Sequence, residues 1–301
     1  MTTQPETLPR SAADLRSGKS HRDENFPVAS RMIRPRHRGP VLAFYNFVRA
    51  ADDVADHPTL TPAEKLGLLD RLDEALTGRS PADPAAEPLR QALAERGLSS
   101  RHALDLLDAF RLDVRKSRYA DWSELMGYCA LSAMPVGRFV LDVHGEAPST
   151  WQTSDAICAA LQIINHLQDC AKDYRGLDRV YLPLDTLAAH RVTVEALGAE
   201  RASPGLRAAI ADLAGQTEDL LREGAPLPDL IVDTRLSLEI AAIHRLAAKL
   251  VDGLKRRDPL SEKVHFSKAA FAFTALGAMA GALMRRRFRR PTRPASQGTA
   301  P

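Results

Sequence analysis

Residues 159–174 read AALQIINHLQDCAKDY, the most informative segment of the chain. A helix turns by about 100° per residue, which places five of its polar side chains on one stripe, all within roughly 60° of the first one. This polar stripe consists of Gln162, Asn165, His166, Asp169 and Asp173. Apolar residues cover the rest of the cylinder, as in a core helix. Because buried amides and carboxylates need polar partners, the stripe is expected to face an internal cavity.

The same helical spacing of apolar residues recurs through most of the 301 residues, and strand-type alternation is nearly absent. The pattern predicts an all-α fold, a single bundle of roughly eight to ten helices. We expect a flexible N-terminal segment over 1–20, one helical domain over 21–288 and a disordered basic tail over 289–301. A hydrophobic content of 45% is enough for a sizeable core.

Charge and cysteine content exclude several classes of protein. The net charge of +3 is too small to indicate a nucleic-acid partner, and three cysteines are too few for a disulfide framework. No apolar run opens the chain, and the apolar stretch 269–284 is shorter than the ~20 residues of a membrane span. We therefore expect a cytoplasmic protein. The following basic run, RRRFRR at 285–290, is interpreted either as a solvated helix end or as a peripheral contact with anionic lipid on the inner face of the membrane.

A second stripe lies in residues 41–56, VLAFYNFVRAADDVAD. Tyr45, Arg49, Asp52 and Asp56 follow at steps of four, three and four, which places them on one face of a helix. Two carboxylates at this spacing repel each other, so a cation is expected beside them. Either Arg49 alone supplies that charge, or a metal ion does.

Two helices that each carry a DxxxD pair suggest a common explanation. Mg²⁺ prefers oxygen ligands and typically combines one or two carboxylates with substrate phosphates. The paired aspartates therefore indicate diphosphate binding, with Mg²⁺ as cofactor and ionisation to a carbocation as the chemistry. Apolar stretches at 103–119 and 125–144 are expected to line the rest of the cavity. Pro135 and Gly137 predict a kink in the second of them, with a loop between two shorter helices as the alternative.

Five motifs in this order resemble the squalene and phytoene synthase family. They are FYNFVRAADDVAD at 44–56, FRLDVRKSRY at 110–119, Tyr128-Cys129, LQIINHLQDCAKD at 161–173 and RGLDRVYLP at 175–183. The resemblance implies an isoprenoid synthase helical bundle around a central cavity. It also implies roles for individual residues. Asp52, Asp56, Asp169 and Asp173 would hold Mg²⁺ with the help of Asn165; Arg49, Lys172 and Arg179 would contact phosphate; and Tyr45, Tyr128 and Gln162 would border the cationic centre.

Within that family the chain is similar to the bacterial members of the hopanoid pathway, through ENFPVAS at 24–30, ADDVADHP at 51–58 and SAMPVGR at 132–138. That similarity implies conversion of presqualene diphosphate and water to hydroxysqualene and diphosphate, with neighbouring squalene-pathway enzymes as partners. One alternative is a synthase that forms presqualene diphosphate, squalene or phytoene from prenyl diphosphates. Another is a non-catalytic isoprenoid-binding or scaffold protein. Many relatives have DxxED as the first motif, whereas this chain has Ala55, and Asp53 is the acid that would compensate.

Overall fold

The computed structural model describes residues 12–15 and 32–288, and α-helices dominate this part of the chain. The α-helices are α1 (Pro35–Ala55), α2 (Pro62–Thr77), α3 (Glu87–Arg96), α4 (Arg101–Arg115), α5 (Trp122–Ser132), α6 (Met134–His144), α7 (Trp151–Leu177), α8 (Leu184–Ala189), α9 (Pro204–Gly224), α10 (Leu227–Leu230), α11 (Thr234–Arg256) and α12 (Lys268–Phe288). The all-α class is confirmed. Most of the segment predicted to be flexible, 1–20, and the whole predicted tail, 289–301, lie outside the described residues, as does the motif at 24–30.

The longest helix, α7, forms the centre of the bundle. It has 27 residues and packs against α5, α6, α9 and α11. Two glycines let neighbouring helices approach it closely. A Cβ atom on Gly224 of α9 would lie 2.3 Å from Ile157, and one on Gly137 of α6 would lie 2.5 Å from both Ser154 and Cys158. The apolar sides of α7 are therefore covered on several flanks, as its sequence predicts.

The helices α1 to α4 form a second packed region beside α6. Pro35 and Pro62 occupy the first turns of α1 and α2, where the missing amide removes no helical hydrogen bond. Thr61 and Glu64 close a capping box at the start of α2. The ring of Phe44 on α1 stacks on Phe139 of α6 with centroids 4.0 Å apart. These contacts fix α1 along one side of the space that α7 borders.

The predicted kink within 125–144 is wrong. The chain forms two helices there, because the backbone breaks at Ala133 (φ −126°, ψ −47°) and α6 starts afresh with Pro135 in its first turn. Proline favours a helix start because it has no amide to donate and its ring restricts the residue before it. The two shorter helices of the alternative are therefore present, and the single residue Ala133 connects them.

The last described helix, α12, lies on the outside of the bundle. It packs along α11, where Lys249 Nζ donates to Thr274 Oγ1 at 2.8 Å, and its buried positions include Ala275 and Ala282. Within the described part of the chain, no helix combines the length and apolar character that crossing a membrane requires.

Candidate active site

A cavity of about 570 Å³ lies between α1, α4, α5, α6, α7 and α11. Its walls are mostly apolar and include Phe44, Val48, Phe110, Leu161 and Ile240. Its four aspartates and its two arginines gather near the carboxyl ends of α1 and α7, whereas the acidic Glu239 lies apart from them, near the start of α11. The opposite end, near the starts of α1 and α11, is bordered by side chains such as Ile33, Leu236 and Leu227. The chamber can therefore accommodate a molecule with a charged head and a long hydrocarbon body.

The stripe predicted on α1 lines this cavity. Tyr45, Arg49, Asp52 and Asp56 all border it. The guanidinium of Arg49 lies between two carboxylates, 3.0 Å from Asp52 Oδ2 and 3.0 Å from Asp53 Oδ1. Arg49 thus supplies part of the positive charge that the aspartate pair requires.

Positions 53 and 55 do not reproduce a DxxED motif. Asp53 is buried and pairs with Arg49, and it is not among the described residues that line the cavity. Ala55 is also buried, and its carbonyl accepts a hydrogen bond from Lys65 Nζ at 2.8 Å. Lys65 therefore brings an ammonium group close to the end of α1, which the sequence analysis missed.

The stripe on α7 is divided between the cavity wall and its surroundings. Gln162, His166 and Asp173 line the cavity, whereas Asn165, Asp169 and Lys172 are not among the described lining residues. The ammonium of Lys172 is 3.6 Å from Asp169 Oδ2, and its side chain is 74% exposed. Lys172 lies about 80° from Gln162 on the helical wheel, outside the predicted stripe.

Electrostatic repulsion concentrates where the two helices end. Burial and then the neighbouring Asp56 raise the pKa of Asp52 to about 7. Burial and then Asp169 raise the pKa of Asp173 to about 7, and Asp56 contributes to the same shift from the other helix. The carboxylates of the DxxxD pairs on α1 and α7 therefore repel each other, and a cation bound between them would reduce that repulsion.

Arg179 lies beside the acidic pair of α1. Its Nη1 donates to Asp56 Oδ1 at 2.6 Å, and the residue is buried at the cavity wall. Burial alone lowers its pKa, but Asp113 and Asp56 raise it above the ordinary value, so the guanidinium stays charged. A fixed cation beside the acidic pairs is suited to receive the oxygens of a phosphate group.

Asp113 is a lining residue that the sequence analysis did not single out, although it lies in the quoted motif 110–119. Its carboxylate accepts hydrogen bonds from Tyr128 Oη at 2.8 Å and Tyr181 Oη at 3.0 Å. Burial raises its pKa to about 6, while Arg179 and the two phenols oppose that shift. The bonds hold both tyrosine rings against the cavity. Neither spacing nor periodicity reveals this cluster, since Tyr128 and Tyr181 are 15 and 68 residues away.

His166 is packed against the same cluster. Its ring stacks on Tyr181 with centroids 3.6 Å apart, and burial, with a smaller effect from Arg179, lowers its pKa to about 3. The imidazole is therefore neutral at physiological pH.

The donor set at the acidic end fits a hard divalent cation such as Mg²⁺, because it consists of carboxylate oxygens whose pKa values are raised by burial and by mutual repulsion. No cluster of three or more His, Cys, Asp or Glu side chains within residues 12–15 and 32–288 has a geometry ready to enclose a metal ion.

The comparisons with known proteins agree with this geometry. The profile of the squalene/phytoene synthase family matches residues 19–270. This chain belongs to the squalene/phytoene synthase family. This chain is 57% identical to a hydroxysqualene synthase of Rhodopseudomonas palustris, and the match covers 92% of this chain and 95% of the relative. It is 51% identical to a hydroxysqualene synthase of Sinorhizobium fredii, covering 94% of this chain and 97% of that one. Among solved structures, it resembles squalene synthase HpnC from Alicyclobacillus acidocaldarius with a TM-score of 0.65 and 29% identity, covering 92% of each chain.

Proposed function

We propose that the protein is a hydroxysqualene synthase, which converts presqualene diphosphate and water to hydroxysqualene and diphosphate in hopanoid biosynthesis. The observation that carries the proposal is the identity of about half or more, over nearly the whole chain, with relatives of that name. The cavity supports it independently, because it combines an acidic and cationic end with an apolar chamber. Such a chamber suits the departure of diphosphate from a hydrocarbon and protects the resulting cation.

We propose that the acidic end holds Mg²⁺ through Asp52, Asp56, Asp169 and Asp173, with Asn165 assisting. When bound, the metal neutralises negative charge on the diphosphate and thereby makes it a better leaving group. Arg179 is placed to bind phosphate oxygens, since its guanidinium already lies at the cavity wall beside Asp56. Arg49 and Lys172 are proposed as the other two phosphate contacts.

The proposed role of the apolar walls is to bind the hydrocarbon and to limit the water that reaches the cation. Tyr45, Tyr128 and Gln162 border the chamber, and aromatic rings stabilise a nearby cation through their π-faces. One water then forms the new C–O bond and loses one proton, which the departed diphosphate can accept. No hydride donor is needed for this outcome.

Product analysis in ¹⁸O-labelled water tests the proposal directly. Purified protein is incubated with Mg²⁺ and presqualene diphosphate, or with farnesyl diphosphate, each with and without NADPH. We expect a C30 alcohol with one ¹⁸O atom from presqualene diphosphate alone. Squalene that forms only with NADPH, or a C30 or C40 product from farnesyl diphosphate, would assign the protein to the alternative synthases. Binding of the diphosphate without turnover would favour a scaffold.

We further propose that the protein works at the periphery of the cytoplasmic face of the membrane, because its proposed substrate and product are lipids. The basic segment 285–290 would supply electrostatic attraction to anionic lipid. Neighbouring enzymes of the squalene pathway are the proposed class of protein partner.

A further inference from the structure

The outward side of α12 is apolar over nearly its whole length. Phe273 is 85% exposed and Phe288 is 81% exposed, and Leu276, Leu283 and Met284 lie exposed between them. On a helical wheel these five side chains share the half of the helix opposite the buried Ala275 and Ala282. This surface does not result from an unfolded end, because the opposite half is packed on α11.

The absence of charge distinguishes this surface from an ordinary exterior helix. Residues 269–284 contain no Asp, Glu, Lys or Arg. A helix on the outside of a bundle normally has charged and polar residues on its solvent side. A contiguous exposed apolar strip on a folded protein indicates an interaction surface.

The strip continues beyond α12. Arg286 donates from Nη1 to the carbonyl of Ile231 at 2.7 Å and from Nη2 to that of Val232 at 2.9 Å. These bonds hold the end of α12 beside two further exposed apolar side chains, Leu230 and Val232, the latter 80% exposed. We call the combined surface the α12 apolar face; it consists of Phe273, Leu276, Leu283, Met284, Phe288, Leu230 and Val232.

Both ends of α12 carry basic side chains. Lys268 begins α12, and Arg285 and Arg287 lie in its last turn, exposed to solvent. Asp229 is 3.5 Å from Arg285 and offsets one of these charges. A second copy of the chain packed here would bring arginine against arginine if the helices ran parallel. In the antiparallel arrangement, the arginines would meet Lys268. Anionic head groups would complement Arg287, which lies on the same side of the helical wheel as the exposed apolar residues.

We propose that the α12 apolar face docks onto an anionic lipid bilayer, with the helix axis along the membrane surface and the apolar side chains inserted among the acyl chains. The long side of the helix makes the contact, because its other side is fixed to α11. The docking rests on this surface and not on the reaction proposed for the cavity.

Vesicle flotation of the full chain tests the docking. The probes are vesicles of phosphatidylcholine alone and of phosphatidylcholine with phosphatidylglycerol in equal parts. We expect binding to the mixed vesicles that weakens as salt increases. The triple variant Phe273→Gln, Leu276→Gln and Met284→Gln should lose at least about tenfold in binding, because each side chain inserts apolar area. Arg287→Gln should lose about fivefold and show a weaker salt dependence.

Two controls separate docking from folding and from catalysis. Leu184→Gln removes an exposed apolar side chain on α8 and should bind like the wild type. Asp173→Asn alters the proposed catalytic site and should also bind normally, so that loss of turnover and loss of docking are independent results. Circular dichroism and thermal unfolding verify that the triple variant is folded.

Equal vesicle binding by the wild type and the folded triple variant would overturn the proposal. So would a wild-type chain that binds neither vesicle. A third contrary result is a stable dimer in solution that the triple variant abolishes, together with no flotation, because a second copy would then cover the α12 apolar face.

Discussion

The helices α7 and α12 are both long and rich in apolar residues, but the side that other helices leave uncovered is polar in α7 and apolar in α12. In α7 the polar side chains Gln162 and Asp173 face an internal chamber, while the apolar sides contact other helices. In α12 the apolar side chains face outward. The difference follows from the neighbours: α5, α6, α9 and α11 surround α7, whereas α12 packs mainly along α11. Periodicity therefore identifies the faces of a helix, but the surrounding helices determine what each face meets.

The largest expected effect concerns the polar stripe of α7. Asp173→Asn should lower turnover of presqualene diphosphate by about a hundredfold to a thousandfold, because it removes charge from the proposed Mg²⁺ and diphosphate site. Steady-state release of diphosphate measures this loss. Asp252→Asn, the same change at an exposed position of α11, should retain wild-type turnover.

Thermal unfolding of Asp173→Asn without metal shows whether a loss of turnover comes from the site or from loss of the fold. Since burial and neighbouring carboxylates destabilise the charged form of Asp173, the neutral amide should leave the metal-free protein at least as stable as the wild type. A variant that is inactive because it has unfolded would contradict this interpretation. Wild-type turnover in Asp173→Asn would remove the α7 stripe from the mechanism.

Packing around α7 is the next target. Gly224→Ala should lower the free energy of unfolding by about 1–3 kcal/mol, because its new Cβ would lie only 2.3 Å from Ile157. Urea unfolding followed by circular dichroism measures the change. Gly215→Ala on the same helix is the control, since no atom lies within 4 Å of its Cβ position. Equal stabilities for the two variants would mean that α9 can move away from α7 without loss.

The two acidic stripes were predictable from sequence because each lies within one helix. A residue's position on its own helix depends on local spacing alone, so Tyr45, Arg49, Asp52 and Asp56 could be placed on one face without knowledge of the fold. All four line the cavity. The same reasoning predicted a polar stripe on α7, of which Gln162, His166 and Asp173 reach the chamber wall.

The parts that sequence reasoning missed depend on contacts between distant segments. Asp113 is held by Tyr128 and Tyr181, which only the folded chain brings together. Lys65 reaches the end of α1 from α2. The break at Ala133 entered the sequence prediction only as the alternative, because Pro135 is compatible with both a kink and a new helix, and tertiary packing selects between them.

The neutral histidine on α7 gives a smaller, pH-dependent effect. The folded pKa of His166, about 3, is below its unfolded value of 6.5. The unfolded chain therefore binds a proton first, and stability contributed by the neutral ring is present above pH 6.5 and declines as the pH falls toward 3. Between pH 6.5 and 5 the decline amounts to at most about 2 kcal/mol.

Denaturant unfolding at several pH values measures this contribution. His166→Leu should lose less stability than the wild type over that interval, and His265→Leu at an exposed position is the control for the substitution itself. Parallel pH profiles for the wild type and His166→Leu would show that the ring is not buried in its neutral form.

The smallest expected effect, of opposite sign, concerns the outward side of α12. Gly277→Ala should raise the free energy of unfolding by up to about 1 kcal/mol, because alanine favours a helix and no atom lies within 4 Å of the new Cβ. Vesicle binding should stay at least as strong, since a methyl group adds apolar area to a surface that faces lipid. If a second helix packed closely against this side of α12, the new methyl group would displace it. Weaker association of two copies, or a loss of stability, would therefore show that α12, like α7, is packed on both sides.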